Sequence, residues 1–421
     1  MRCLMTTAGA LLALAACAAC TDGSLTTEPR ALVAPAIAHA PTPDIVAETS
    51  TDVWARVITG ETGPGSSYQL YLPREWNGTA IFYSHGIRDV LEPVSLRDQD
   101  NLGVIRENLG RLGYAVAYSS YSENGFAEKD GAQRTHQLRG LFTSVFGTPS
   151  RSLLVGHSLG GLIALELADR FSSQYDGVAA MCSIAGGSQA EIDHVVNVRL
   201  LFDLFYPGIL PGQFDNPLDG GMITPAQQAQ IVGAITANPT GLFIMASIAQ
   251  TGLDFNPASP QAQTQLVTSL ITALTFHARG RDNVLSFTNG KFPFDNSQTV
   301  YSAAAIPLLP PNVLGPALAQ VNATVPRTSG DPSALNYLDH HFTPAGSLAI
   351  PTITLHNRWD PLVPFFHEPL FASRVSAAGA SALLVQRVRP AFGHCNFDVA
   401  DQIQTIVDLD TWIATGVRPA A

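Results

Sequence analysis

Apolar residues fall in short blocks along residues 79–187 and again along 351–414, and Gly, Pro or Asn turns close each block. Residues 79–84, 114–119, 152–156 and 175–184 are nearly continuous apolar runs of strand length, which predicts strands buried on both faces. Between them a 3.6-residue periodicity predicts helices over 96–112, 128–146 and 160–170. Residues 52–71 carry two alternating runs around Gly60-Glu-Thr-Gly-Pro-Gly65, the pattern of an antiparallel hairpin. The alternation resumes with strands over 351–356 and 382–388 and helices over 366–378 and 399–414. Strands alternating with helices predict an α/β fold, a mostly parallel, doubly wound sheet.

From 188 to 346 this rhythm stops. The stretch is rich in Ala, Gln, Leu and Pro and predicts helices over 225–237 and 262–278. It reads as a mainly helical insertion, a cap over the C-terminal edge of the sheet. The alternative is a separate helical domain with no part in the site. The expected core is then 49–187 together with 347–421. Residues 1–20 have a positive Arg2, an apolar run too short to span a bilayer, and small residues at the end, so they read as an export signal. Leu14-Ala-Ala-Cys17 resembles a bacterial lipobox, with Cys17 the lipidation site; an ordinary secretory signal cleaved near Ala19 or Cys20 is the alternative. Residues 21–48, rich in Thr, Pro and Ala, read as a disordered tether.

Arg151-Ser-Leu-Leu-Val-Gly-His-Ser-Leu-Gly-Gly-Leu162 carries the chemistry. It is an apolar strand, a Gly-x-Ser-x-Gly turn and an apolar helix start. Gly156 and Gly160 let strand and helix approach without a Cβ clash, which lifts the Ser158 hydroxyl clear of the sheet. Strand, turn and helix together resemble the nucleophile elbow of the α/β-hydrolase superfamily, in particular serine esterases and lipases with a large helical cap. The resemblance covers about 49–186 and 347–416 and no motif of the cap.

That resemblance implies a base, an orienting acid and oxyanion donors. Asp360 follows the strand at 351–356 in Asn357-Arg-Trp-Asp-Pro-Leu-Val-Pro364, where α/β enzymes place site residues, and its Asp-x-x-Val-Pro ending resembles their acid loop. His394 lies between the last strand and the last helix, so the order Ser158, Asp360, His394 is the one the superfamily implies. Among eleven His, those at 136, 356 and 367 fall on predicted elements with no partner motif, and His157 points away from the nucleophile. The oxyanion donors are expected to be the backbone N–H groups of Leu159 and of Ile87, the latter in a His85-Gly86 loop that resembles the shorter oxyanion loops of lipases and esterases.

Composition narrows the rest. Of 421 residues 46% are hydrophobic and 14% charged, enough apolar sequence for a sizeable core. The net charge of −11 argues against nucleic acid as a partner. No metal-ligand spacing and no dinucleotide fingerprint occur, so no metal and no cofactor are expected. Outside the leader only Cys182 and Cys395 remain, an even pair in an oxidising compartment. Both lie near the C-terminal edge of a doubly wound sheet, so a disulfide between them is expected; two reduced, separately buried thiols are the alternative. The chain thus reads as an exported, lipid-anchored or secreted hydrolase of small-molecule carboxylic esters, touching a membrane only through its N-terminal lipid and with no protein partner evident. A serine aminopeptidase using the same triad, with Asp203, Asp219, Asp254 or Asp295 holding the substrate amine, is the alternative. A non-catalytic binding lipoprotein is the remote one.

Overall fold

The apolar blocks pair into one nine-stranded sheet. The computed structural model describes residues 44–99, 101–215, 222–341 and 343–421. The signal segment, Cys17, Cys20, most of the tether and Asp219 lie outside them. In chain order the first half contains β1 (Asp44–Thr49), β2 (Trp54–Glu61), β3 (Ser67–Pro73), β4 (Thr79–Ser84), α1 (Leu102–Arg111), β5 (Ala115–Ser119), α2 (Glu128–Phe146), β6 (Arg151–His157), α3 (Leu159–Arg170) and β7 (Gly177–Met181). Then come α4 (Ser188–Phe205), α5 (Pro225–Ala237), α6 (Pro239–Ala246), α7 (Ala262–Ala278), α8 (Pro311–Thr324) and α9 (Pro332–His340). The chain closes with β8 (Thr352–Trp359), α10 (His367–Ala377), β9 (Leu384–Phe392) and α11 (Val399–Thr415).

The strand order is β1-β2-β3-β5-β4-β6-β7-β8-β9. The first three strands pair antiparallel, and β5 through β9 run parallel to β4. Both faces are covered because side chains alternate along each strand. Phe82 and Leu154 point to the face packed by α2, α3 and α10, while Ile81, Tyr83, Leu153 and Val155 point to the face packed by α1 and α11. Three expectations shift. Residues 44–48, read as tether, belong to β1, an exposed edge strand whose backbone pairs with β2. The helix expected from 96 starts only at Leu102, because Asn101 turns in the left-handed region at φ 65°. The strand expected to run to 184 stops at Met181, because Cys182 turns out of it at φ 43°.

Between β7 and β8 the described residues add helices and no strand to the sheet. Thr224 caps α5 in a reciprocal capping box with Gln227, and Asp331 caps α9. These helices do not form a second core. Ile192, Val195, Leu266, Leu270 and Leu338 join the same apolar cluster as Leu162 and Phe142. Among the described residues no single helix is long and apolar enough to cross a membrane.

The tightest crossing lies at the β6–α3 turn. A Cβ on Gly156 would sit 2.0 Å from the Gly160 carbonyl oxygen, and one on Gly160 would sit 2.0 Å from the Ser84 carbonyl oxygen. Both obstacles are backbone, so neither can swing aside. Gly160→Ala is therefore expected to destabilise the protein by more than about 3 kcal/mol or to prevent its accumulation. Gly140→Ala, on α2 with nothing within 4 Å of the added methyl, is expected to change stability by no more than about 1 kcal/mol and in the favourable direction. Urea unfolding of the two variants checks the contrast.

Candidate active site

Ser158 stands at the end of the central strand β6, between β4 and β7. Its backbone is held at φ 55°, ψ −123°, a conformation that side-chain-bearing residues rarely adopt. Its N–H donates to the Met181 carbonyl at 2.9 Å, and its own carbonyl accepts from Gly161 N–H at 3.0 Å. Strand and helix thus pin the turn from both sides. His157 does point away: its Nε2 donates to Gln402 Oε1 at 2.7 Å, and its Nδ1 accepts from the Tyr83 hydroxyl at 3.0 Å. The His85-Gly86-Ile87 loop runs alongside, and a Cβ on Gly86 would lie 3.2 Å from that of Ser158. Among the described residues, the Ile87 and Leu159 amides have no hydrogen-bond partner. The His85 ring stacks on Tyr121 at 3.7 Å, and burial pushes it down to about 3, so it stays neutral beside the loop.

Asp360 is fully buried after β8. Its Oδ1 accepts from the N–H groups of Leu362 at 2.9 Å and Val363 at 3.0 Å, which fixes the loop. Its Oδ2 lies 2.8 Å from His394 Nδ1. The His394 loop is tied down at three points. Gly393 N–H donates to the Trp359 carbonyl at 3.0 Å. Asn357 makes two bonds of 3.0 Å with the backbone of Asn396. A disulfide joins Cys182 to Cys395 across a separation of 213 residues. Ser158, His394, Gly86, Ile87, Glu191 and Phe276 line one cavity of about 130 Å³.

A mostly parallel sheet carries Ser158 on the turn after β6, a buried Asp after β8, and a His after β9 bonded to that Asp. The chain has an α/β fold, a mostly parallel sheet with helices on both faces. No protein-family model matches it. It is 23% identical over 412 residues to an o-phthalyl amidase of Xanthobacter agilis, covering 86% of this chain and 88% of that protein. Among solved structures it is similar to Candida antarctica lipase A in its closed state, at 13% identity over 90% of this chain and 83% of that one, with a TM-score of 0.45. Feruloyl esterase B from Aspergillus oryzae is similar at 13% identity over 90% of this chain and 86% of that one, with a TM-score of 0.45.

Sequence reading missed a layer of buried charge behind the triad-like residues. His356 and His367, which have no partner motif in the sequence, are both fully buried and both partnered. His356 Nε2 donates to the Val363 carbonyl at 2.9 Å, 3.8 Å from Asp360 Oδ2, and its Nδ1 lies 3.5 Å from Glu368 Oε1. Burial alone would push His356 down; Glu368, Asp360 and the carbonyl outweigh it and hold the ring up at about 9. An imidazolium therefore sits behind Asp360. His367 Nδ1 accepts from Gly186 N–H at 3.0 Å, so its Nε2 carries the proton and donates to Glu191 Oε2 at 2.9 Å. Burial, with the Asp360 charge adding, raises Glu191 to about 7. The acidic cap residues do other work: Asp203 pairs with Arg199 at 2.8 Å, Asp295 bonds Ser297 at 2.9 Å, and Asp254 accepts from Phe365 N–H at 2.6 Å, with burial raising it to about 7. Glu191, at helical spacing from His194 on α4, was the available sequence signal, but nothing in the chain marked its distance to β6.

Two outcomes follow from this geometry. Reducing the Cys182–Cys395 bridge, or replacing both residues by Ala, is expected to lower stability by up to roughly 5 kcal/mol on the chain-entropy estimate and to disorder the His394 loop. Hydrogen exchange read at residues 393–397 against that of α3 separates local loosening from global loss; equal changes in both would refute a local role. The second concerns pH. His356 has a folded pKa above its unfolded one, so its stabilisation is full below about 6.5 and is lost as pH rises through about 9. Glu191 and Asp254 are raised acids, so the native state loses stability as pH climbs from about 4 through about 7. All three act in one direction: their combined contribution is expected to fall from about pH 4 to about 9, with the part above pH 7 coming from His356. Glu368→Gln should flatten the upper part of that fall, and urea midpoints across the range test both statements.

Proposed function

We propose that the chain is an exported serine hydrolase that cleaves small-molecule carboxylic esters through an acyl-enzyme. The observation that carries this reading is the Asp360–His394 pair at 2.8 Å, with His394 and the strained Ser158 lining one cavity. Asp360 Oδ2 accepts from His394 Nδ1–H and so leaves Nε2 as the basic nitrogen. As Ser158 Oγ attacks the acyl carbon, His394 takes its proton and then gives it to the departing alcohol. Asp360 orients the ring and stabilises the imidazolium that forms. The Ile87 and Leu159 amides donate to the oxyanion. Water, deprotonated by His394, then releases the acid. Helices α4–α9 act as a cap, since Glu191 and Phe276 bring them to the cavity wall.

Amide hydrolysis by the same residues is the second reading, favoured by the similarity to an o-phthalyl amidase. Export is supported by the Cys182–Cys395 bridge, which persists in oxidising compartments. Lipidation at Cys17 is the proposed anchor.

A panel of p-nitrophenyl esters of graded chain length, run beside aminoacyl and phthalyl p-nitroanilides, tests the bond cleaved. Ester turnover at least tenfold above anilide turnover in kcat/KM is expected; the reverse selects the amidase reading. Ser158→Ala should lower kcat by several orders of magnitude with the far-UV spectrum unchanged. Asp360→Asn should cost on the order of 10⁴ in kcat, because the ring would take the wrong tautomer. A Ser158→Ala protein keeping more than a few per cent of turnover overturns the nucleophile.

A further inference from the structure

A second cluster of ionisable side chains lies away from the catalytic cavity and has no part in the reaction above. Glu128 opens α2, Glu166 sits on α3, and His341 ends α9. The exposures of the three are 1%, 1% and 8%. One ligand atom from each lies within 4.8 Å of the others, and His341 Nδ1 is 3.4 Å from Glu128 Oε2. Neither oxygen of Glu128, nor Oε2 of Glu166, nor His341 Nδ1 has a hydrogen-bond partner outside the trio. The one cation in direct contact is Arg170, whose Nη1 lies 2.8 Å from Glu166 Oε1. Two buried carboxylates therefore face each other beside the Arg170 guanidinium. Two ionised carboxylates this close and this deep are costly unless a cation or a shared proton joins them.

The imidazole is prepared as a ligand. Its backbone is fixed by His341 N–H donating to the Tyr337 carbonyl at 2.9 Å and by Ser188 Oγ–H donating to the His341 carbonyl at 2.9 Å. Tyr337 and His340 pack against the ring at 4.8 and 4.6 Å. Its Nδ1 is buried and has no hydrogen-bond partner. Two carboxylates and one imidazole make a mixed oxygen–nitrogen set that suits a borderline cation better than Ca²⁺ or Mg²⁺, which take all-oxygen shells.

We propose that Glu128, Glu166 and His341 bind one divalent first-row transition cation, with Zn²⁺ the expected occupant, and that the ion ties α2 and α3 to the end of α9. Bonds of about 2.0–2.2 Å need only modest side-chain movement from the present spacing. The cation stands between the carboxylates in place of a proton. A proton shared between the two carboxylates is the competing occupant. The other trio with ligand spacing, Cys182, Cys395 and His394, is closed to a metal because its sulfurs are bonded to each other.

The test uses the processed full chain, tag-free and purified without chelator. Elemental analysis should find close to one equivalent of zinc. After chelator stripping, added Zn²⁺ should raise Tm by several degrees in a saturable way, while Ca²⁺ at the same concentration should not. Glu128→Gln keeps the shape and can still hydrogen-bond Glu166, so it should fold. It should cut bound zinc to less than a tenth and abolish the Tm shift, and His341→Gln should do the same. No bound metal together with no Zn²⁺-dependent shift in the stripped wild type would overturn the proposal in favour of the shared proton. An equal shift with Ca²⁺, or unchanged zinc content in both variants, would overturn the assigned ligands.

Discussion

The site depends on a backbone crossing. Gly156 on β6 meets Gly160 on α3 with no room for a methyl group, and Gly160 in turn meets the end of β4. That approach forces the chain to reverse over three residues. The reversal puts Ser158 at positive φ and aims its first-turn amides the same way. The cost of the conformation is met by hydrogen bonds from Ser158 to β7 and α3 and by the apolar face of α3, every residue of which from Leu159 to Ala168 is buried. Parallel pairing of β4, β6 and β7 then places the His85-Gly86-Ile87 loop and the Cys182 turn on either side of the serine.

The second half of the site is imposed from the other end of the sheet. β8 and β9 each end in a loop that has little regular structure of its own. Asp360 folds its loop by accepting from its own backbone two and three residues on, while Asn357 and the disulfide hold the His394 loop from outside. Buried polar groups of this kind are either fully matched or very costly. Here they form a chain from Glu368 through His356 to Asp360 and His394, with Glu191 and His367 beside it. His356 stands behind Asp360, with its Nε2 3.8 Å from Asp360 Oδ2. Glu128, Glu166 and His341 form a second buried cluster, where the proposed ion would join the two carboxylates to the imidazole.

Much was legible in the sequence because local physics wrote it there. Continuous apolar runs had to be buried parallel strands, since no half-exposed strand reads that way. The period of 3.6 marked α2, α5 and α7 at their observed bounds. Gly156 and Gly160 announced a close approach, and Ser158, Asp360 and His394 each stood in a local motif. The even cysteine pair, in a chain whose leader reads as an export signal, announced a bridge. These are properties of residues near one another in the chain, or of counts, and they need no coordinates.

Only the tertiary structure decided what distant residues do to each other. The roles of Glu191 and Asn357 come from packing: Glu191 bonds His367, 176 positions on, and Asn357 holds the Asn396 backbone, 39 positions on. The carboxylates of the cap segment looked like candidates for a substrate amine, yet Asp254 is spent on a backbone N–H of the acid loop and Glu191 is the acidic residue that reaches the cavity. Spacing gave no sign of a metal because Glu128, Glu166 and His341 come from three separate helices. Periodicity tells each helix which face to bury, but which faces meet is set by the crossover order of the sheet and by the shared core of α2, α3 and α4–α9. Charge at a distance in sequence becomes chemistry only once that core has excluded water from between the partners.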